Sequence, residues 1–234
     1  MANLKDRESR ENSFSERLRK LSAKYRREAI KLLGTPPDPD NIPEEFWQRV
    51  ERETEEQLTA AIMLIFMMGY RQHAPEEPRE EADKEARKYA SDRAHRVAMD
   101  MAARTKEYIS KLKDLPKPEV VEKVNVILGP ERAETVAATE TTAATSHSGE
   151  RAVIRTVGFT DNDTWFTEKD RRVCPICAPL HNTKRAVWSA KFPDGPPTHP
   201  RCRCWIHYAN EKRGKAVIGT KEDVPSPSQQ LFLG

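Results

Sequence analysis

Aromatic residues make up only 7% of this 234-residue chain, and glycine contributes nine positions against 17 prolines. So few aromatics and turn-forming glycines argue against a sandwich or barrel, whose many tight turns and aromatic cores need both. Long apolar runs are also scarce. The longest, Ala60-Ala-Ile-Met-Leu-Ile-Phe-Met-Met-Gly-Tyr70, has eleven residues, where a bilayer span needs about 20. It is expected to be buried by neighbouring helices or to form a contact surface, so no membrane span is expected. No glycine-rich phosphate loop, Ser-His-Asp arrangement or paired-carboxylate signature stands out, and no enzymatic activity is expected. The start, Met1-Ala-Asn-Leu-Lys-Asp-Arg7, has no apolar core, so no secretory leader is expected and synthesis in a reducing cytoplasm follows.

The chain has charge instead, at 33% of residues. Apolar positions recur at three-to-four spacing over residues 6–33, through Phe14, Leu18, Leu21, Tyr25 and Ile30, predicting a first helix stopped at Gly34-Thr-Pro-Pro. A second is expected from about Pro43 to Gln72, with Asn41 as its cap and Glu44-Glu45 in its first turn. A third covers about residues 77–113, with Ala82, Ala86, Ala90 and Ala94 as a small-residue stripe for close packing on the second. Shorter helices are expected over 118–128 and 130–147, the latter ended by Gly149. From Arg151 the texture changes. Ala152–Val157, Trp188–Phe192 and Cys204–Tyr208 are short β-favouring runs between turn residues. The fold class expected is mainly α, a helical hairpin or bundle followed by a small C-terminal α+β module. The divisions fall at 1–115 for the long helices, 116–150 for connecting helices, 151–212 for the module and 213–234 for a flexible or partner-ordered tail.

All four cysteines fall within residues 174–204: Cys174-Pro-Ile-Cys177, then His199-Pro-Arg-Cys202-Arg-Cys204. A C-x-x-C turn sets two thiolates close together, and a second short knuckle completes a tetrahedral Zn²⁺ site. Reduced thiols favour a structural zinc over disulfides. Five candidates compete for four positions. If residues 202–204 are extended, Cys202 and Cys204 share a face and can join Cys174 and Cys177, so the four-cysteine site is the set expected first. Alternatively His199 and Cys202 complete the set, or His199 orients a thiolate from behind. Either set is closed, which suits a staple for a module too small to be stabilised by its core alone.

Residues 1–150 hold 26 basic and 29 acidic residues, whereas 151–234 hold 14 and 8. Within that basic end, Arg171, Arg172, Lys184, Arg185, Arg201 and Arg203 could neutralise phosphates or an acidic partner, or serve as ordinary surface charge. His181-Asn182 invites a nuclease reading, but no Asp-His dyad precedes it and no histidine follows one helix turn on. The segment around Cys174-Pro-Ile-Cys177 lacks the strand-then-helix pattern of thiol oxidoreductases.

Two blocks resemble a known family, the phage Mu F-like head morphogenesis or minor head proteins. The first is Arg132-Ala-Glu-Thr-Val-Ala-Ala-Thr139-Glu140-Thr141. The second is Trp165-Phe-Thr-Glu-Lys-Asp170 leading to Cys174-Pro-Ile-Cys177, then Pro196-Pro-Thr-His199-Pro-Arg-Cys202-Arg-Cys204. One departure is Ala178-Pro-Leu-His-Asn182, which lacks the glycine often found after the second cysteine. The resemblance covers about residues 130–206 and implies a non-enzymatic component of the virion head. It further implies assembly near the portal, with portal protein, major capsid and scaffold proteins, and packaged DNA as partners, and no small-molecule substrate.

Overall fold

A computed structural model describes residues 4–76, 78–156, 158–168 and 173–209. Helices α1 (Leu4–Leu33), α2 (Glu44–His73), α3 (Arg79–Ser110), α4 (Lys117–Ile127) and α5 (Pro130–Thr156) come first. Strands β1 (Thr164–Phe166) and β2 (Thr183–Lys184), helix α6 (Arg185–Lys191) and strand β3 (Trp205–His207) follow. The molecule is mainly helical, with a three-stranded antiparallel sheet ordered β2-β1-β3 in which Trp165 opposes Thr183 on one side and Ile206 on the other.

The α2–α3 hairpin forms as the alanine stripe predicts. Ala90, Ala94 and Ala98 bury against Leu58, Ala61, Ile62 and Ile65, and α1 and α5 complete this core with Phe14, Leu18, Ala133 and Ala137. A second cluster closes the end near α4, around Tyr25, Phe46, Trp47 and Val124. The apolar stretch 60–70 is mostly core, with Phe66 and Tyr70 fully buried and Leu64 facing outward. No helix of the described residues is long and apolar enough to cross a membrane.

Three local expectations are corrected. Asn41 does not cap α2. Pro43 occupies the cap position, while the Asn41 amide donates back to the Leu33 carbonyl at the end of α1. Helix α5 continues through Gly149 to Thr156, so Ala152 and Val153 are helical and buried rather than extended. A mid-helix glycine costs about 1 kcal/mol relative to alanine, but packing requires it here. A Cβ on Gly149 would lie 3.1 Å from both His73 and Tyr208. At the same crossing, a Cβ on Gly69 would fall 2.1 Å from the Ser148 hydroxyl. Finally, the expected strand at Trp188–Phe192 is helix α6, held by Trp188 donating to the Asp163 carbonyl at 3.1 Å and packing on Trp165. The residues expected to form a tail, 213–234, lie outside the described residues.

Candidate metal centre

The first knuckle is a tight turn in which the Cys174 carbonyl accepts from the amides of Cys177 (3.1 Å) and Ala178 (2.9 Å). The Cys177 amide also points at the Cys174 sulfur, 3.3 Å away. In the second knuckle the Cys202 amide donates to the His199 carbonyl at 3.2 Å, with Arg201 left-handed at φ 61°. Cys177, Cys202 and Cys204 are buried and Cys174 is partly so. All four thiols are free.

The two knuckles bring the five candidates into overlapping triads, Cys174–Cys177–His199 and Cys177–Cys202–Cys204, whose donor atoms lie within 4.8 Å of one another. This Cys/His cluster could hold a metal ion. The Cys177 and Cys202 sulfurs are 3.9 Å apart, and a tetrahedral zinc with bonds of about 2.3 Å sets two sulfurs about 3.8 Å apart. His199 Nε2 lies 2.9 Å from the Cys174 sulfur and 3.2 Å from that of Cys177. Its Nδ1 is 2.7 Å from the Pro200 carbonyl. A carbonyl only accepts, so Nδ1 carries the proton and, in the neutral ring, the Nε2 lone pair faces the sulfurs.

Without a cation the crowded sulfurs cannot all ionise. Hydrogen bonds from Cys177 and Cys204 pull the Cys202 thiol down to about 2. The bond to Cys202 pushes Cys177 up to about 12, and bonds to Cys177 and Cys202 push Cys204 up. A divalent cation would favour the thiolate form at each of these sulfurs. The donor set therefore fits a soft, four-coordinate metal.

Several residues that hold this centre escape sequence inspection. Thr139 accepts from the Arg201 amide at 2.9 Å, and Thr142 donates to the Cys202 carbonyl, so one helix of the body carries the second knuckle. Arg7, buried in α1, donates to the Thr142 hydroxyl at 2.7 Å and to the Arg203 carbonyl at 3.4 Å. Glu140 makes a bidentate, buried pair with Arg93 at 2.7 and 2.8 Å. Asp163, itself buried, gathers the amides of Thr160 and Ala209 and the guanidinium of Arg185. The dense Thr139-Glu140-Thr141-Thr142 run was the available signal for the first three contacts. For Asp163 the signal was an Asx-rich turn, Asp161-Asn162-Asp163, before a tryptophan.

Three of the predicted basic residues have partners within the chain. Arg201 pairs with Glu134 at 3.1 Å, and Lys184 donates to Thr164. Arg185 lies over the Phe159 ring at 3.8 Å besides meeting Asp163 at 3.5 Å. Arg171 and Arg172 lie outside the described residues. His181 accepts from the Thr167 amide at 3.1 Å, and Asn182, left-handed at φ 62°, donates to the Trp165 carbonyl at 2.7 Å. These two residues shape the turn into β2.

Fold and centre together define a class: a helical protein whose small terminal sheet is organised around a Cys/His cluster. Residues 93–207 match the family described as phage Mu protein F like protein. Over those residues, from the middle of α3 through β3, the chain belongs to the phage Mu F-like head morphogenesis family. No curated protein and no solved structure matches it.

Proposed function

We propose that the protein is a minor head protein, a non-enzymatic structural component that joins the assembling virion head near the portal. Its partners are the portal and the major capsid or scaffold proteins. The observation that carries this reading is the seating of the Cys/His knuckle on α5 and α1, which makes the cluster a staple between module and helical body. Every candidate ligand contacts another candidate or the chain itself, the arrangement of a structural rather than a catalytic site. Because Arg185 and Arg201 already pair with Asp163 and Glu134, a protein partner is favoured over packaged DNA.

The ligand set proposed is Cys174, Cys177, His199 and Cys202 around one Zn²⁺, with Cys204 as a neutral neighbour. The lone pair of His199 Nε2, facing the Cys174 and Cys177 sulfurs, supports it. Bound zinc would hold the two knuckles together. Cobalt substitution should give the absorption of a three-sulfur, one-nitrogen site. Cys204→Ser should keep one equivalent of metal while His199→Ala loses it; the opposite pattern returns the site to four cysteines. For the function itself, purified heads should contain the protein, and it should remain with the portal after the shell is dissociated. Heads assembled with full infectivity in its absence would overturn the reading.

A further inference from the structure

Among the described residues the large apolar side chains left exposed are Leu64, Met99, Val126, Ile154, Ile176 and Val187. Apolar residues scattered singly are ordinary on a protein surface. Leu64 differs, because its neighbours on the outer face of α2 are apolar too. Ala60 is exposed, and Met63 and Met67 pack against the cluster of Phe66, Tyr70, Ala82 and Ala86 yet remain partly exposed. At 3.6 residues per turn, Glu56, Ala60, Met63, Leu64, Met67 and Arg71 fall within an arc of about 100°. Leu58, Ile62, Ile65 and Gly69, all buried, lie on the opposite side of the helix.

The two ends of this stripe are charged, and no charged residue lies between them on α2. Glu56 and Arg71 are both exposed, and neither forms an ion pair with a described residue. The acids that flank the stripe are already taken, Glu53 by Lys24 and Glu55 by His95. Glu56 and Arg71 stand equally far from the midpoint between Met63 and Leu64, as do Ala60 and Met67. The charged ends are about 22 Å apart along the axis. Read in one direction the stripe runs acid, apolar, base. Turned end for end, it complements itself.

We propose that this face pairs with the same face of a second copy of the chain, the two α2 helices antiparallel about a two-fold axis beside Met63 and Leu64. A two-fold contact is isologous, so each residue meets its counterpart across the axis. Glu56 meets Arg71 of the second copy at both ends, Ala60 meets Met67, and Leu64 packs at the centre. A parallel pairing sets like charge on like charge at both ends, which opposes it. A foreign partner requires no such symmetry of charge, and that symmetry is what selects a second copy. A single helical seam falls below the standard interface size, so the dimer is weak, with a Kd of about 10–100 µM. The pairing requires neither the metal nor a head partner.

The test is sedimentation of the full-length protein from about 5 to 500 µM, bracketing that Kd, with reductant present so that no disulfide links two copies. A reversible monomer–dimer equilibrium is expected. Leu64→Asp should weaken it about a hundredfold. Glu56→Arg or Arg71→Glu alone should weaken it about tenfold, since each sets like charges together at both ends. The double exchange, Glu56→Arg with Arg71→Glu, should return the wild-type equilibrium because it only trades the signs across the axis. Val126→Asp, on α4 and away from the stripe, should change nothing. Unaltered far-ultraviolet circular dichroism and urea midpoint establish that each variant is folded. A monomer throughout the range, a dimer indifferent to Leu64→Asp, or a double exchange that fails to restore association would each overturn the proposal.

Discussion

Where the long helices cross, the interior is built largely from alanine and β-branched or leucine side chains, down to bare glycine at the tightest point. Where the terminal module closes, it is built from tryptophan and cysteine. The body gains stability from many small contacts spread over about a hundred residues. The module has two strands of three residues and one of two, and a seven-residue helix, too little to bury a self-sufficient core. Steric changes should therefore injure the body, and chemical changes at donor atoms should injure the module.

The largest effect should come from Cys177→Ser, since Cys177 is common to both donor triads. Near-ultraviolet circular dichroism should lose the signal of Trp165, Trp188 and Trp205 while far-ultraviolet helicity largely persists. An unchanged near-ultraviolet spectrum would show that the module closes without its donors. Next is Glu140→Ala, which strands the Arg93 guanidinium in a buried site and should cost about 3–5 kcal/mol in urea unfolding. Replacing both partners with apolar residues should recover most of that loss.

Thr142→Val tests the seam between the two regions. It removes the hydroxyl between Arg7 and the Cys202 carbonyl and should cost about 1–3 kcal/mol. Hydrogen exchange should rise at residues 199–204 before it rises in α2. The smallest change is Gly69→Ala, where crowding against Ser148 at about 1–3 kcal/mol is offset by about 1 kcal/mol of helix propensity. Gly69→Ala combined with Ser148→Ala should recover part of the loss, because it removes the clashing hydroxyl while the Thr145 carbonyl stays 3.2 Å from the new Cβ.

The long helices were legible because their apolar positions repeat within each segment, and Gly34 with its prolines marks a stop that no tertiary contact reverses. The cysteine cluster was legible from spacing alone. Gly149 was misleading because its local preference is to end a helix, while the reason it does not is His73 on α2 and Tyr208 beyond β3. Trp188–Phe192 favours strand by composition, yet the Asp163 carbonyl and Trp165 hold it helical. Arg93 and Glu140 are 47 positions apart, and Arg7 and Thr142 are 135 apart. No local pattern pairs such residues. Spacing pointed first to Cys204 as the fourth donor, and no local pattern shows the orientation that the Pro200 carbonyl gives the His199 ring.

The Thr142 hydroxyl has a single proton, and its neighbours leave it no choice of direction. Arg7 can only donate and the Cys202 carbonyl can only accept, so the hydroxyl passes polarity one way, from the first helix to the second knuckle. Residues 93–207 are consequently not a portable cassette. Transplanted behind a foreign helical hairpin, they would arrive with the Arg203 carbonyl and the Thr142 hydroxyl missing their arginine. A chimera would need a guanidinium grafted at the position of Arg7, and whether that one graft rescues the knuckle would measure how much of the joint it carries.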